Sequence, residues 1–278
     1  MGGTMWLAGD QQDPPNLPPW KQGFVSASIV GAAGTLTALL YRDMHGEGQH
    51  VDVSMQEALS LTQETAMQTW DMLGALRVRN GARGIIPLEV PGIGVYECSD
   101  GHAYGYVGAP GGATWGDLLA WMEEEGKAED LSEEPYRDVC MSLNLRFLSL
   151  IATDPEVGKK LSMLPHINEV LRRFAGSKTK WEMYEQAQSR RLLFGIVSTP
   201  EDIAMNPQLK FKEWLTPVDH PELGESIQYP GRPYDLSETP WAIRRRPPLR
   251  GEHNDEIYGN ELGIDAAQLA ALRSAGVI

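Results

Sequence analysis

Residues 46–59 read GEGQHVDVSMQEAL, and several local signals are compressed into that stretch. Gly46-Glu47-Gly48-Gln49 makes a tight turn, and His50 to Val53 forms a short extended run. Ser54, with Glu57 three positions on, has the form of a capping box, so a helix is expected from Met55 into the seventies. Upstream, residues 25–44 carry apolar groups at helical spacing. Ser26, Ala27, Ser28, Gly31, Ala32, Ala33 and Gly34 leave little bulk on that helix, which predicts a close neighbour and tight burial. Arg42 and His45 fall where a cation favours the helix dipole, and Gly46 is suited to the left-handed conformation that stops the helix.

Working outward, the chain opens as MGGTMWLAGDQQDPPNLPPW, glycine- and proline-rich loop chemistry with no strand and helix ahead of it to begin an α/β sheet. Asp13 to Pro19 cannot be helical. Downstream, Arg79 to Pro91 reads as a linker or domain crossing. Val95–Cys98 and Ala103–Val107 are β-type runs around Ser99-Asp100-Gly101-His102, whose Asp-Gly pair favours a hairpin turn. After the glycine-rich turn Gly108-Ala109-Pro110-Gly111-Gly112, Thr114 with Asp117 predicts a helix over 115–125. Its acidic end, Glu123, Glu124 and Glu125, reads as solvated surface. Helical patterns continue over Leu143–Ile151, His166–Phe174 and Trp181–Arg190. Thr199-Pro200-Glu201-Asp202 starts a short helix. The seven prolines between 216 and 255 predict an irregular strap, and Asp265 caps a last helix over Ala266 to Ser274, closed by Gly276.

Composition excludes several functions. With 278 residues, 42% hydrophobic, the chain supports one large or two smaller cored domains. A net charge of −14 gives no footprint for nucleic acid. Val25 to Leu40 is too short and too rich in Ser, Thr and Gly to read as a membrane span. Two cysteines, Cys98 and Cys140, make neither a disulfide framework nor a zinc pattern, which fits a reducing cytoplasm.

General motifs of catalysis are sparse. GxGxxG, a P-loop ending, GxSxG and HExxH are all missing, and the scattered histidines give no metal spacing. Asp219-His220, between prolines, reads as a solvated loop pair rather than a dyad. Asp52 reads as a hydrogen-bonding residue on a buried strand. The glycine-rich turn 108–113 is either an ordinary turn, the favoured reading from glycine content alone, or a backbone that folds over a ligand.

Several segments together are similar to one family. GEGQHVDVSMQEAL, preceded by ALLYRD (38–43), resembles the signature of class III (CaiB/BaiF-type) CoA-transferases. The same order continues with YECSDGHAYGYVG (96–108), the glycine-rich turn, TPEDIAMNPQLKFKEWLTPVDHPELGE (199–225) and RRPPLRGEHNDEIYGNELGIDAAQLAALRSAGVI (245–278). The resemblance implies an α/β fold with a large Rossmann-like domain, partial here, a smaller α/β domain and two subunits interlocked as rings. On that reading, 1–78 are large-domain helices, 79–215 the small domain, and 216–278 a strap and helix returning to the large domain.

The resemblance also implies chemistry: an aspartate attacks an acyl-CoA thioester, and CoA passes by way of covalent intermediates to a carboxylic acid. Coenzyme A and acyl-CoA are then substrates, with no covalently bound cofactor and no metal. The loop shielding the intermediates falls on Gly108, Ala109, Pro110, Gly111 and Gly112. Counting back without a gap from Gln49, the family's aspartate position is occupied by Phe24. The nearest acids, Asp13 and Asp43, sit in the proline loop and at the far end of the helix. The family's N-terminal sheet would lie upstream of Met1. Both departures point away from a self-sufficient enzyme, and the MWLAGDQQDPP opening and the VDVSMQEA run resemble the aspartate-lacking subunit of benzylsuccinate-type CoA-transferases, whose partner is a homologous aspartate-bearing chain; a homodimer is the other arrangement. A non-catalytic CoA-ester-binding scaffold and an acyl-CoA racemase-like enzyme are the alternative functions.

Overall fold

A computed structural model describes residues 2–81, 88–108, 111–151 and 154–278. The described chain falls into two compact units, Met1–Val197 and Ser198–Ile278.

The first unit begins with α1 (Thr4–Leu7), α2 (Gln22–His45), α3 (Met55–Leu61) and α4 (Glu64–Leu73). α2 ends as its sequence dictates: Gly46 takes φ 79° and donates its N–H to the Arg42 carbonyl, with Arg42 and His45 in the last turn. The Ser54 hydroxyl accepts from the Glu57 N–H at 3.3 Å. The single helix expected from Met55 is instead interrupted at Thr62-Gln63, where the Thr62 hydroxyl bonds back to the Leu59 carbonyl at 2.7 Å; such local bonding competes with helix continuation.

α2 packs against α3 and the extended run before it through its glycines. A Cβ added at Gly23 would lie 2.7 Å from Met55 Sδ, one at Gly34 3.1 Å from Val51 Cγ1, and one at Gly31 3.9 Å from Val53 Cγ2. The close neighbour is therefore present, but the tight burial expected of this helix is not met: none of its residues is buried. Only one side of the helix has a partner. Among described residues 2–81, Gly2, Ala58 and Asn80 are the buried ones. Val25 to Leu40 read as too short for a membrane span, but the whole helix, Gln22–His45, is long and apolar enough to cross one; its glycine-lined side packs against Met55, Val51 and Val53. Asp52 is exposed, and 50–54 pairs in no ladder, which corrects the buried strand expected there.

The core lies further along the same unit. β1 (Ile93–Cys98), β2 (Gly101–Tyr106) and β3 (Phe194–Ile196) form an antiparallel sheet in the order β1-β2-β3. The hairpin turns at Ser99-Asp100, pairing Cys98 with Gly101, whose φ of 152° suits glycine. The unit also holds α5 (Trp115–Glu124), α6 (Tyr136–Ser142), α7 (Leu145–Leu150), α8 (Pro155–Lys160), α9 (Leu164–Gly176) and α10 (Lys180–Ser189); α9 packs against β1 and α10 against β2 and β3, while α5 packs on α6. The buried cluster runs from Tyr96 to Phe194. Trp121 and Phe174 meet edge to face at 4.9 Å, with Lys178 Nζ 5.0 Å and 5.1 Å from the two rings.

The acidic end of α5 is paired rather than merely solvated. Glu123 bonds to Arg137 and Glu124 to Arg190, each at 2.8 Å. Glu125 holds Lys178 at 2.6 Å and accepts from Trp121 Nε1 at 2.7 Å. Burial pushes its carboxyl up, but those bonds outweigh it and hold the group below its usual range.

The second unit holds α11 (Pro200–Met205), α12 (Pro207–Phe211), β4 (Leu215–His220), β5 (Glu225–Pro230) and α13 (Ala266–Ser274). The irregular strap expected over 216–255 is corrected by this hairpin, in which Pro217 lies opposite Gln228. A two-stranded ribbon has edges on both sides, so a proline without an N–H is tolerated there. Residues 231–254 carry no regular element, and a π-helical turn, Asp255–Glu261, precedes α13. Asp265 caps α13 by accepting from Gln268 N–H at 2.8 Å.

Two outcomes follow. Gly34→Val would wedge α2 away from Val51 and lower stability by about 1–3 kcal/mol, read from urea unfolding. At the start of α5, the Asp117 carboxylate accepts from the Thr114 N–H at 2.6 Å and hydroxyl at 2.7 Å, and the hydroxyl and N–H of Thr114 hold its pKa below the ordinary value. A depressed carboxylate contributes stability above its unfolded pKa and loses it as pH falls through the folded one. Asp117→Ala should therefore cost about 1 kcal/mol at neutral pH and progressively less in acid; an equal cost throughout would contradict this account.

Candidate functional site

Pro18 and Pro19 keep the chain extended up to the start of α2, and the Gln22 amide bonds back to the Pro19 carbonyl at 3.2 Å. Trp20 sits at φ 61°, a left-handed conformation unusual for a bulky residue. Phe24, the third residue of α2, is 60% exposed. In front of it lies a cavity of about 480 Å³ walled by Trp6, Trp20, Phe24, Met55 and Leu59, with Met5, Leu17, Pro18, Thr4, Lys21, Gln22 and glycines 2, 3 and 23 also lining it. Lys21 Nζ stands 5.9 Å from the centre of the Phe24 ring.

The opening segment is held over this cavity from α4 onward. Trp6 Nε1 donates to the Arg77 carbonyl at 2.7 Å. Arg79 lies over the Trp6 ring at 5.7 Å and donates to the carbonyls of Asp10 and Asp13, both at 2.8 Å. The Gly81 N–H reaches the Gly9 carbonyl at 2.8 Å. Trp6 also walls a second apolar cavity, of about 360 Å³, against Met67, Trp70 and Leu76. Among the described residues, the Thr4 hydroxyl oxygen is the buried side-chain polar atom without a hydrogen-bond partner.

Of the acids nearest in sequence, Asp13 lies in the proline loop and Asp43 is bound to Arg42 at 2.8 Å at the opposite end of α2. Neither lines the cavity. Gly108 and Gly111 take φ 81° and 78°, while Ala109 and Pro110 lie outside the described residues, as do residues 82–87 of the linker. The Gly108 N–H bonds to the Ala113 carbonyl at 3.4 Å. The cavity wall at Phe24 comes from residues 2–59, so the described part of the glycine-rich turn contributes nothing to it. Trp6, Trp20, Lys21 and Thr4 were not legible as site residues, since the opening reads only as a loop. The signal present was two tryptophans beside Gly-Gly and Pro-Pro.

Covalent chemistry at cysteine is disfavoured: Cys98 and Cys140 are free and buried. Burial pushes the Cys140 thiol up to about 12 and, together with the Asp100 charge, raises that of Cys98. A thiol so held is a poor nucleophile. Among the described residues no group of His, Cys, Asp or Glu is arranged to hold a metal ion.

Asp219-His220 closes β4 rather than lying in a solvated loop, and His220 is only 7% exposed. Its Nδ1 meets Glu222 Oε1 at 2.8 Å and its Nε2 the Tyr229 hydroxyl at 3.0 Å. Glu222 in turn holds Arg246 Nε at 2.9 Å, and Arg246 also binds Glu252 at 2.7 Å. The imidazole thus orients the carboxylate that ties the 245–252 segment to the hairpin. Glu222→Ala should release that segment, raising native-state trypsin cleavage after Arg244 and Arg245 by roughly threefold or more; unchanged fragment yields would show that the tie does not hold it.

The model of a family described as CoA-transferase family III matches residues 1–254. The chain is 30% identical over its whole length to 63% of succinyl-CoA:(R)-benzylsuccinate CoA-transferase subunit BbsE from Thauera aromatica. It is 29% identical over its whole length to 65% of formyl-CoA:oxalate CoA-transferase from Streptomyces coelicolor. It is 24% identical over its whole length to 63% of the succinyl-CoA–L-malate CoA-transferase beta subunit from Chloroflexus aurantiacus. The chain thus spans just under two thirds of the length of these relatives. Among solved structures, a CAIB/BAIF family protein from Brucella suis superposes over 93% of this chain and 60% of its own, with a TM-score of 0.67 at 16% identity. Rv3272 from M. tuberculosis does so over 92% and 60%, with 0.61 at 14%. These two share the fold.

Proposed function

Because the chain belongs to CoA-transferase family III, we propose that it acts within a CoA-transferase that moves CoA between an acyl-CoA thioester and a carboxylic acid, as the subunit without the nucleophile. The observation that carries this reading is the first turn of α2, which holds no acidic residue and presents Phe24 to an apolar cavity. In the chemistry the family resemblance implies, a carboxylate oxygen attacks the thioester carbonyl, the C–S bond breaks and CoA leaves as thiolate. The thiolate then attacks the enzyme's own carboxyl carbon in the resulting anhydride, releasing the first acid and leaving an enzyme-CoA thioester. The acceptor carboxylate repeats the two steps in reverse and regenerates the enzyme carboxylate. A phenyl ring has no lone pair for the first attack, so Phe24 cannot begin this sequence.

Two relatives bear names of subunits, which supports an aspartate-bearing homologous chain as partner. The exposed apolar side of α2 supports residues 1–78 being part of a larger Rossmann-like domain, with 79–215 the small domain and 216–278 the return to the large one. An interlocked pair of subunits and a cytoplasmic setting belong to the same proposal, and Gly108 to Gly112 would shield the reacting thioester.

Mixing the chain with an aspartate-bearing family III homologue should raise exchange of label between acyl-CoA and free acid by about two orders of magnitude or more over either chain alone. The isolated chain should form no hydroxylamine-sensitive acyl adduct, and Phe24→Asp should introduce one. An adduct on the unaltered chain would refute the assignment. Exchange by the partner that is indifferent to this chain would make it a scaffold.

A further inference from the structure

The sheet of the first unit is open along part of one edge. β1 lies at the end of the order β1-β2-β3, with Ile93 opposite Tyr106 and Cys98 opposite Gly101. The Val107 N–H bonds to the Gly92 carbonyl at 2.9 Å. In an antiparallel ladder, residues that exchange hydrogen bonds with the neighbouring strand alternate with residues that turn both backbone groups away. Gly94, Tyr96 and Cys98 therefore bond to β2, and Ile93, Val95 and Glu97 face outward. Both ends of this edge are closed: the Ile93 N–H goes to the Val90 carbonyl at 3.0 Å and the Ser99 N–H to the Lys178 carbonyl at 2.8 Å. Between them, the N–H and C=O groups of Val95 and Glu97 have no partner among the described residues. At β3, by contrast, the N–H of Phe194 is met by the Leu192 carbonyl at 3.2 Å and its carbonyl by the Gln188 amide at 3.4 Å.

Beside the open edge lies space rather than packing. A groove of about 590 Å³ is bordered by Val95, Glu97, Ser99 and His102 on the hairpin and by Arg172 and Gly176 on α9. Arg172 and Gly176 are four residues apart, so they share the helix face turned to the strand. A Cβ at Gly176 would come 3.9 Å from the Glu97 carbonyl oxygen, so the absence of a side chain there leaves that acceptor uncovered. The charges of the groove are unequally answered. Arg172 is paired with both Glu89 and Glu169, whereas Glu97 is exposed and makes no ion pair among the described residues. The uncompensated charge at the edge is negative.

We propose that this edge takes up an extended peptide segment as a fourth strand, antiparallel to β1, with a basic residue opposite Glu97 and an aliphatic residue two positions later opposite Val95. Unpaired N–H and C=O groups on an edge strand are a template for another chain, and alternate side chains then give the selection. Opposite charges directly across a ladder attract, and an aliphatic residue packs on Val95. The groove shares no residue with the cavity at Phe24, and the binding does not depend on the transferase reading.

The test uses the whole chain and a fluorescein-labelled, end-blocked Thr-Lys-Thr-Val-Thr peptide, followed by anisotropy. Binding should saturate. N-methylation of the lysine and valine amides, whose N–H groups would meet the Glu97 and Val95 carbonyls, should weaken it by about tenfold or more. N-methylation of the threonine between them, whose N–H faces away from β1, should change it by less than about twofold. Glutamate in place of the lysine should weaken the peptide by about fivefold or more, and Glu97→Lys should invert that preference. Gly176→Leu suits a helix and lays a side chain over the Glu97 carbonyl, so it should abolish binding with an unchanged circular dichroism spectrum. Absence of saturable binding, or indifference to N-methylation or to Gly176→Leu, would overturn the proposal and leave Glu97 as a charge that keeps the edge unpaired. Sedimentation of the chain alone supplies a further check: a concentration-dependent dimer that Gly176→Leu removes would overturn it too, because the edge would then belong to a second copy.

Discussion

The N-terminal part of this protein depends on one close approach, the seam where α2 lets α3 and the run before it come in over Gly23, Gly31 and Gly34. A Cβ at Gly23 or Gly34 would stand nearer than ordinary van der Waals contact to Met55 or Val51. Only bare backbone lets the helices come this close. That approach brings Met55 and Leu59 to the same cavity as Phe24, so the seam and the candidate site are one construction. The tryptophans arrive separately, carried by an opening segment that Arg77 and Arg79 hold in place through backbone carbonyls.

Beyond the linker a different principle operates. There a small three-stranded sheet is covered by helices, and the large side chains Trp115, Trp121, Phe174 and Phe194 are almost wholly buried. Polar groups within it are answered: the Tyr96 hydroxyl accepts from the Gly92 N–H at 2.7 Å and donates to Asn168 at 2.8 Å, and Asn168 reaches Glu89 at 2.7 Å. Burial raises the Tyr96 pKa, keeping it a neutral donor. Such a satisfied network gives a core one arrangement rather than several. The contrast with α2, which exposes Ile29, Leu36, Leu40 and Met44, is that of a finished core against a surface shaped for covering.

That contrast bears on function. Apolar exposure on this scale marks an interaction surface rather than a resting exterior, in keeping with a chain that spans just under two thirds of its relatives' length. In the second unit, Arg246 and Glu222 tie the proline-rich return to the β4–β5 hairpin, so order there comes from ion pairs and a hydrogen-bonded histidine more than from buried area.

What the sequence by itself determined was local and periodic. The Gly46 stop, the Thr114–Asp117 and Thr199–Asp202 caps, the hairpin at Ser99-Asp100 and the final Asp265 cap each need only a few neighbouring residues, and each is present. The ordered motifs were enough to place the chain in its family. What only the tertiary structure decided depends on partners distant in the chain. Pairing Glu123, Glu124 and Glu125 with Arg137, Arg190 and Lys178 takes residues brought from other elements. The β4–β5 hairpin prevailed over its prolines because a two-stranded ribbon has free edges, and Asp52 lost the burial its apolar neighbours suggested because no sheet forms around it. The cavity at Phe24 belongs to the same class. Its walls come from a loop, a helix start and a second helix, and no spacing along the chain records that Trp6 and Trp20 would meet there.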